Sequence, residues 1–247
     1  MTSKPLKGQV VLVTGAGGRV GRAIALGLAE RGAAVAVHYN SSAVGAHNLV
    51  SAIRRKGGAS HAFQADLMDD AERMELVPRI NREMGTVSIL VNNAASFGDA
   101  TMMETTAEEW DDSFELNLKA PFQLSQSFAA QNRRKVRGVI VNISDWRGLR
   151  PGTDHFAYTI AKAALIRLTE AMALALAPRI RVNCIALGAI LLPRHSSRRR
   201  KEQLIVKTPL KQMGSTQDVA AALVYLLEAP YVTGETIVVD GGRQLVS

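Results

Sequence analysis

Short apolar runs alternate with helical patterns from one end of this chain to the other. "GQVVLVT" and "AAVAVHY" come first; "VSILVNNA", "GVIVNIS", "IRVNCIA" and "ETIVVDGG" follow, and "SHAFQADL", before the third of these, reads as a short strand. A short run that is apolar at nearly every position has no solvent face, which predicts a strand buried on both sides. Between these runs, "RAIALGLAERG", "AVGAHNLVSAIRRKGG", "DDAERMELVPRINREMG", "FAYTIAKAALIRLTEAMALALAP" and "TQDVAAALVYLLEA" read as helices. Two more helices are expected around 108–117 and 119–132. Buried strands joined by crossover helices predict an α/β fold, a doubly wound parallel sheet with helices on both faces. Nothing reads as a linker, repeat or low-complexity stretch. All of residues 1–247 are therefore expected to form one domain.

At 47% hydrophobic residues the chain can fill such a core. The formal net charge of +8 raises the question of nucleic acid, but it suits a phosphorylated cofactor equally. No nucleic-acid reading motif accompanies the charge, and aromatic residues make up only 5%. The sharpest basic run is "RHSSRRRK" at 194–201. It reads as a solvated face or as an attractor for an anionic substrate tail. A single cysteine allows no intramolecular disulfide, so a reducing compartment is expected. No secretory leader is evident and no apolar stretch approaches the roughly 20 residues that span a bilayer. A soluble cytoplasmic protein without membrane or nucleic-acid partners is the expectation.

In a doubly wound sheet, ligands sit at the carboxyl ends of the strands where the order reverses. "TGAGGRVG", residues 14–21, joins the first strand to the first helix. Free backbone N–H groups and a positive helix end there suit a pyrophosphate. Gly15 permits the turn, and Gly21 lets helix and strand approach; a purely structural turn is the alternative. Arg19 is out of place in a loop whose usual virtue is a lack of side chains, and Val20 follows it. A free ribose 2′-hydroxyl usually meets a carboxylate after the second strand. Here the chain reads "HYNSS": His38, Tyr39, Asn40, Ser41 and Ser42. Imidazole, amide and hydroxyls can donate to a 2′-phosphate, which points to NADPH. Ser41 or Ser42 can instead cap the next helix. Asp66, followed by Leu67, is placed to accept from an adenine amino group.

"YTIAK" puts Tyr158 and Lys162 on one helix face, one turn apart. An ammonium beside a phenol favours the phenolate, so Lys162 is expected to pull Tyr158 toward neutral pH. Tyr158 is then the candidate acid, with Lys162 as its tuner and as a ligand to the cofactor's ribose.

Taken together, these pieces resemble the short-chain dehydrogenase/reductase family. The likeness rests on the glycine loop at 14–21, "NNAA" from Asn92 through Asn93, Ala94 and Ala95, Asn117, the Tyr158–Lys162 spacing and the terminal "VTGETIVVDGG". It implies a Rossmann-type fold, hydride transfer from a nicotinamide and a homotetramer formed through the long helix and the last strand. By that resemblance Asn117 supports a proton-relay water, and Gly188 and Ile190, in "ALGAI", join the cofactor site. That segment lacks the proline usual in the family.

Two departures narrow the resemblance. Most of the family has glycine where this chain has Arg19, and serine thirteen residues before the tyrosine, where it has Asp145. A serine hydroxyl can donate to a carbonyl that gains negative charge. An ionised aspartate can only accept, and repels that charge. Ser144 should point to the other side of the strand. Unless it stays protonated, Asp145 suits a nitrogen-bearing ring, and it can also hold or pass a proton to Tyr158; Arg19 can reach the pyrophosphate, or bind or stack upon that ring. Phe97, in "NNAASF", offers a second stacking face, or simply a core aromatic. Arg19, "HYNSS", Phe97 and Asp145 resemble the pteridine reductase branch, though Ala95 stands where that branch often has a serine. The resemblance implies reduction of a pterin with NADPH. A 3-oxoacyl-thioester reductase and a non-catalytic NADPH-binding protein are the alternatives.

Overall fold

The computed structural model describes residues 5–131, 137–192 and 197–246. The expected helix end at Asn132 and residues 194–196 of the basic run lie outside them. Seven strands form one parallel sheet: β1 (Val10–Val13), β2 (Ala34–Tyr39), β3 (Ser60–Gln64), β4 (Val87–Asn92), β5 (Gly138–Asp145), β6 (Ile180–Leu187) and β7 (Thr236–Val239). Their order is β3-β2-β1-β4-β5-β6-β7. The chain winds outward from β1 to β3, returns to the far side of β1 and winds outward again. The switch point lies between β1 and β4, as a doubly wound sheet requires.

The helices are α1 (Arg19–Glu30), α2 (Ala43–Arg55), α3 (Asp70–Met84), α4 (Ala107–Phe114), α5 (Ala120–Gln131), α6 (Phe156–Leu176), α7 (Arg198–Lys207) and α8 (Thr216–Glu228). Alternation along the strands sorts the core into two layers. Val11 and Val13 pack with Ile24 and Leu28 of α1, Leu49 of α2 and Leu223 of α8. Val10 and Leu12 pack with Leu76 of α3, Leu124 and Phe128 of α5 and Met172 of α6. Those that are fully buried contribute roughly 1.5–3 kcal/mol each relative to exposure.

The two helices expected across 108–132 are joined by a wide π-type turn, Glu115–Lys119. The basic run continues into α7, an exposed helix that the sequence pattern did not disclose. It has almost no buried face to leave a periodicity, since its residues 198–203 are exposed or nearly so. Among the described residues, no helix is long and apolar enough to cross a membrane.

Candidate active site

The switch point is stitched by one threonine and one asparagine. Thr14 Oγ1 accepts from the backbone N–H groups of Asn93 and Ala94, both at 2.9 Å. Asn93 Nδ2 donates to the carbonyls of Thr14 and Gly15, at 2.9 and 3.3 Å. The Asn93 side chain therefore holds the loop rather than a ligand. Gly15 takes φ +62°, and a Cβ there would lie 3.0 Å from Ala94 Cα. A Cβ on Gly21 would lie 2.5 Å from the Gly15 carbonyl oxygen. Both glycines are required by close approach, as expected.

His38 corrects one expectation. Its ring is buried, its Nδ1 accepts from the Gly15 N–H at 3.0 Å, and its Nε2 donates to the Ala65 carbonyl at 3.0 Å. Burial pushes its pKa down to about 4. With both nitrogens engaged and no charge, it braces the glycine loop and cannot serve a 2′-phosphate. Tyr39 packs its ring against His47 at 5.9 Å. Asn40, Ser41 and Ser42 are exposed. Ser42 occupies the N-cap of α2, yet its hydroxyl makes no capping bond. The alternative reading of this hydroxyl as a cap does not apply. Asp66 is half-buried and its Oδ1 accepts from the Met68 N–H at 3.0 Å, while Leu67 is buried.

The start of α1 differs from those of α3, α4 and α8. Asp69 caps α3, and capping boxes Thr106/Glu109 and Ser215/Asp218 close α4 and α8. Gly18 gives α1 no side-chain cap, and no acidic residue stands in its first turn, which carries Val20. Bare N–H groups and an uncompensated positive end fit a pyrophosphate.

Arg19 sits at φ +52°, a left-handed conformation that glycine tolerates best. That explains why glycine is usual there. Its guanidinium donates to the carbonyls of Leu191, at 2.8 Å, and Leu192, at 3.4 Å. The expected reach toward a ring substrate is replaced by this clasp on the loop after β6. Gly188 enters that loop with its N–H donated to Val239, and Ile190 is buried.

Across the cleft, β5 delivers Ser144 and Asp145 to opposite sides, as expected. Ser144 Oγ donates to the Lys162 carbonyl at 3.0 Å. Tyr158 OH donates to Asp145 Oδ2 at 3.3 Å, and the Arg147 N–H donates to Oδ1 at 2.8 Å. Gly148 lets this turn touch α6, since a Cβ would lie 2.9 Å from the Lys162 carbonyl carbon. Lys162 is buried and donates from Nζ to the Ile143 carbonyl at 2.9 Å.

The electrostatics overturn the expected tuning of Tyr158. Burial, then the Asp145 carboxylate, push the phenol well above its ordinary value. Lys162 is itself pushed down to about 8 by burial. Burial also raises Asp145, against the Arg147 N–H and the Arg147 and Lys162 charges. Tyr158 is therefore a protonated donor at neutral pH, not a phenol poised to ionise.

Phe97 stands edge-on to Tyr158, centroids 4.7 Å apart at 86°, and is 55% exposed. That exposure rules out a role as a core aromatic. Its neighbour Ala95 is exposed as well. Asn117, fully buried in the π-type turn, donates from Nδ2 to Ser96 O, Ser96 Oγ and Ser113 Oγ at 3.1–3.3 Å. Its Oδ1 is buried without a partner among the described residues. A cavity of about 180 Å³ lined by Ser96, Ser113 and Tyr158 adjoins it. Sequence reasoning missed Arg147, Asp154 and His155. Arg147 donates to both Asp154 oxygens, at 2.7 and 3.1 Å, and the Phe97 ring stacks on His155. No helical or strand period links these loop positions, so no pattern announced them.

Residues 15–244 match the family model described as enoyl-(acyl carrier protein) reductase. The 3-oxoacyl-[acyl-carrier-protein] reductase FabG of Staphylococcus epidermidis is 38% identical over 239 residues, 95% of this chain and 98% of that protein. The crystal structure of FolM alternative dihydrofolate reductase 1 from Brucella canis, complexed with NADP, is similar with a TM-score of 0.94. It is 33% identical, covering 100% of this chain and 98% of that one. A variant of a Serratia marcescens short-chain dehydrogenase/reductase gives a TM-score of 0.90 at 32% identity, covering 97% and 99%. The fold agrees with these likenesses, and the chain belongs to the short-chain dehydrogenase/reductase family.

Proposed function

We propose that the protein is an NADPH-dependent reductase of pterins, taking a dihydropterin to the tetrahydro level, with oxidised pterins or folate as further substrates. The observation that carries this reading is the Asp145 carboxylate 3.3 Å from the Tyr158 hydroxyl, where a ketone reductase needs a neutral donor. The Brucella canis structure, named for dihydrofolate reduction and holding NADP, supports it.

The residues present fit the cofactor. The uncapped start of α1, with Gly15, Arg19, Val20 and Gly21 around it, suits the pyrophosphate. The exposed Ser41 and Ser42 hydroxyls and the Asn40 amide, with no carboxylate among residues 38–42, suit a 2′-phosphate. Bound NADPH supplies the hydride. Tyr158 holds a proton at neutral pH and donates it to the ring nitrogen of a C=N bond as the neighbouring carbon is reduced. As the phenol gives up its proton, Asp145, whose hold on a proton burial strengthens, takes one up from solvent and passes it to the tyrosine oxygen. Otherwise two anions would face each other across 3.3 Å. Lys162 restrains α6 against β5 and would hold the cofactor's ribose. Asn117 and the adjoining cavity give the relay its water. The exposed Leu174 on α6 supports a homotetramer built through that helix.

A second reading, a 3-oxoacyl-thioester reductase, is favoured by the Staphylococcus epidermidis relative. Turnover of dihydrobiopterin and of an acetoacetyl thioester with NADPH separates the two. Preference for dihydrobiopterin is expected. Asp145→Ser should lower its kcat/KM about 100-fold, the scale of one misplaced transition-state group, and raise thioester turnover. A wild-type preference for the thioester overturns the pterin reading. Cofactor binding with neither turnover would leave a non-catalytic NADPH-binding protein.

A further inference from the structure

We propose that His155 is a positioning residue for the substrate face, acting through Phe97; the inference rests on reading this cleft as the pterin site. Phe97 is more than half exposed, so burial does not fix its ring. What holds it are a stack on His155, with centroids 4.2 Å apart and planes at 28°, and the edge-on contact with Tyr158. His155 is itself over-determined. It is 4% exposed, and its Nδ1 donates to the Gly98 carbonyl at 2.7 Å. Its Nε2 lies 3.5 Å from Asp154 Oδ2. Its backbone takes φ +57°, a left-handed conformation that a non-glycine residue keeps only where the surroundings enforce it. The Phe156 N–H donates to the Ala100 carbonyl at 2.9 Å, tying the loop after β4 to the start of α6.

The same support reaches the carboxylate. Asp154 is held by the Arg147 fork, and the Arg147 N–H holds Asp145 Oδ1. One short chain of contacts thus runs from Phe97 through His155, Asp154 and Arg147 to Asp145. It sets the stacking face and the proton-handling carboxylate in one frame. His155 does not touch the reacting atoms in this scheme; it decides where the flat face stands.

His155→Asn is the discriminating variant. Asparagine tolerates positive φ and can donate to the Gly98 carbonyl, but it offers no ring to stack on. The first readout is the ¹⁹F resonance of 4-fluorophenylalanine placed at position 97 in the full-length, NADP-loaded protein. The second is steady-state kinetics with dihydrobiopterin and NADPH. His155→Asn should shift the resonance and raise the pterin KM roughly three- to tenfold, the worth of one aromatic pair, with the NADPH KM within about twofold. In a Phe97→Ala background it should add nothing further to the pterin KM. An unmoved resonance, or effects that simply add, overturns the inference. A moved resonance with an unchanged pterin KM in both single variants leaves the ring positioned by His155 and removes the pterin reading instead.

Discussion

After β1 the cleft is walled by main chain, and after β5 by side chains. On the β1 side, Thr14, Asn93 and His38 turn away from the ligand and satisfy the loop's own carbonyls and N–H groups. What is left facing outward is glycine and bare N–H groups, which suit a phosphate in almost any member of a fold like this. On the β5 side, Asp145, Tyr158 and Phe97 face the cleft, and the supporting residues Arg147, Asp154 and His155 are charged, stacked or held at positive φ. The difference teaches where generality and selectivity sit. A backbone wall recognises a charge pattern; a side-chain wall can tell one substrate shape from another.

The contrast predicts that chemistry fails on one side while binding survives on the other. Tyr158→Phe should show this most strongly. It removes the donor, so turnover should fall by about 10²–10⁴, while NADPH affinity, read by fluorescence titration, changes little. A matching loss of cofactor affinity would mean that the two walls are not separable.

The next effect belongs to the backbone wall. His38 is neutral in the folded protein, with its pKa near 4 against an ordinary 6.5. Between those values the unfolded chain binds a proton that the native ring refuses. Stability is therefore whole above pH 6.5, falls as the pH drops through this window and loses roughly 3 kcal/mol by its lower end. NADPH binding to the folded protein should hold across this window and weaken only as the pH falls to about 4, where a protonated Nδ1 can no longer accept from Gly15. Urea midpoints measured from pH 4 to pH 7.5 test this. A flat profile in the wild type would remove His38 from the wall.

Arg19→Gly should give the smallest change in stability. Relief of the positive φ and loss of the clasp on Leu191 and Leu192 are each worth about 1 kcal/mol and oppose one another. The melting temperature should hardly move. The pterin KM should rise more than that of NADPH, because the loop over the substrate is released. Equal shifts in both would assign Arg19 to the cofactor side.

The sequence made the sheet, the glycine cradle and the Tyr158 helix face legible for one reason. Each is written as a periodicity or a spacing. Val10 to Val13 can only be a doubly buried strand, and Tyr158 and Lys162 must share a face. His38 was misread because a polar residue at a strand's carboxyl end looks the same whether it points to a ligand or back to the loop. The tuning of Tyr158 was misread because spacing revealed the ammonium but not its burial. Arg147 and Asp154 meet across a loop with no repeat, and α7 has almost no buried face to leave a rhythm. Such features become visible only when the chain is closed in three dimensions.

The wide turn at Glu115–Lys119 holds one residue more than a regular helix would. Excising a single residue there would let α4 and α5 fuse into an unbroken rod, but their phase would slip by about 100°. Leu116 or Leu118 would then compete for the buried position, and the amide now gripping Ser96 would rotate out of reach. The irregularity is a spacer that delivers a polar group to an interior address where unbroken amphipathic coiling would deliver a hydrocarbon.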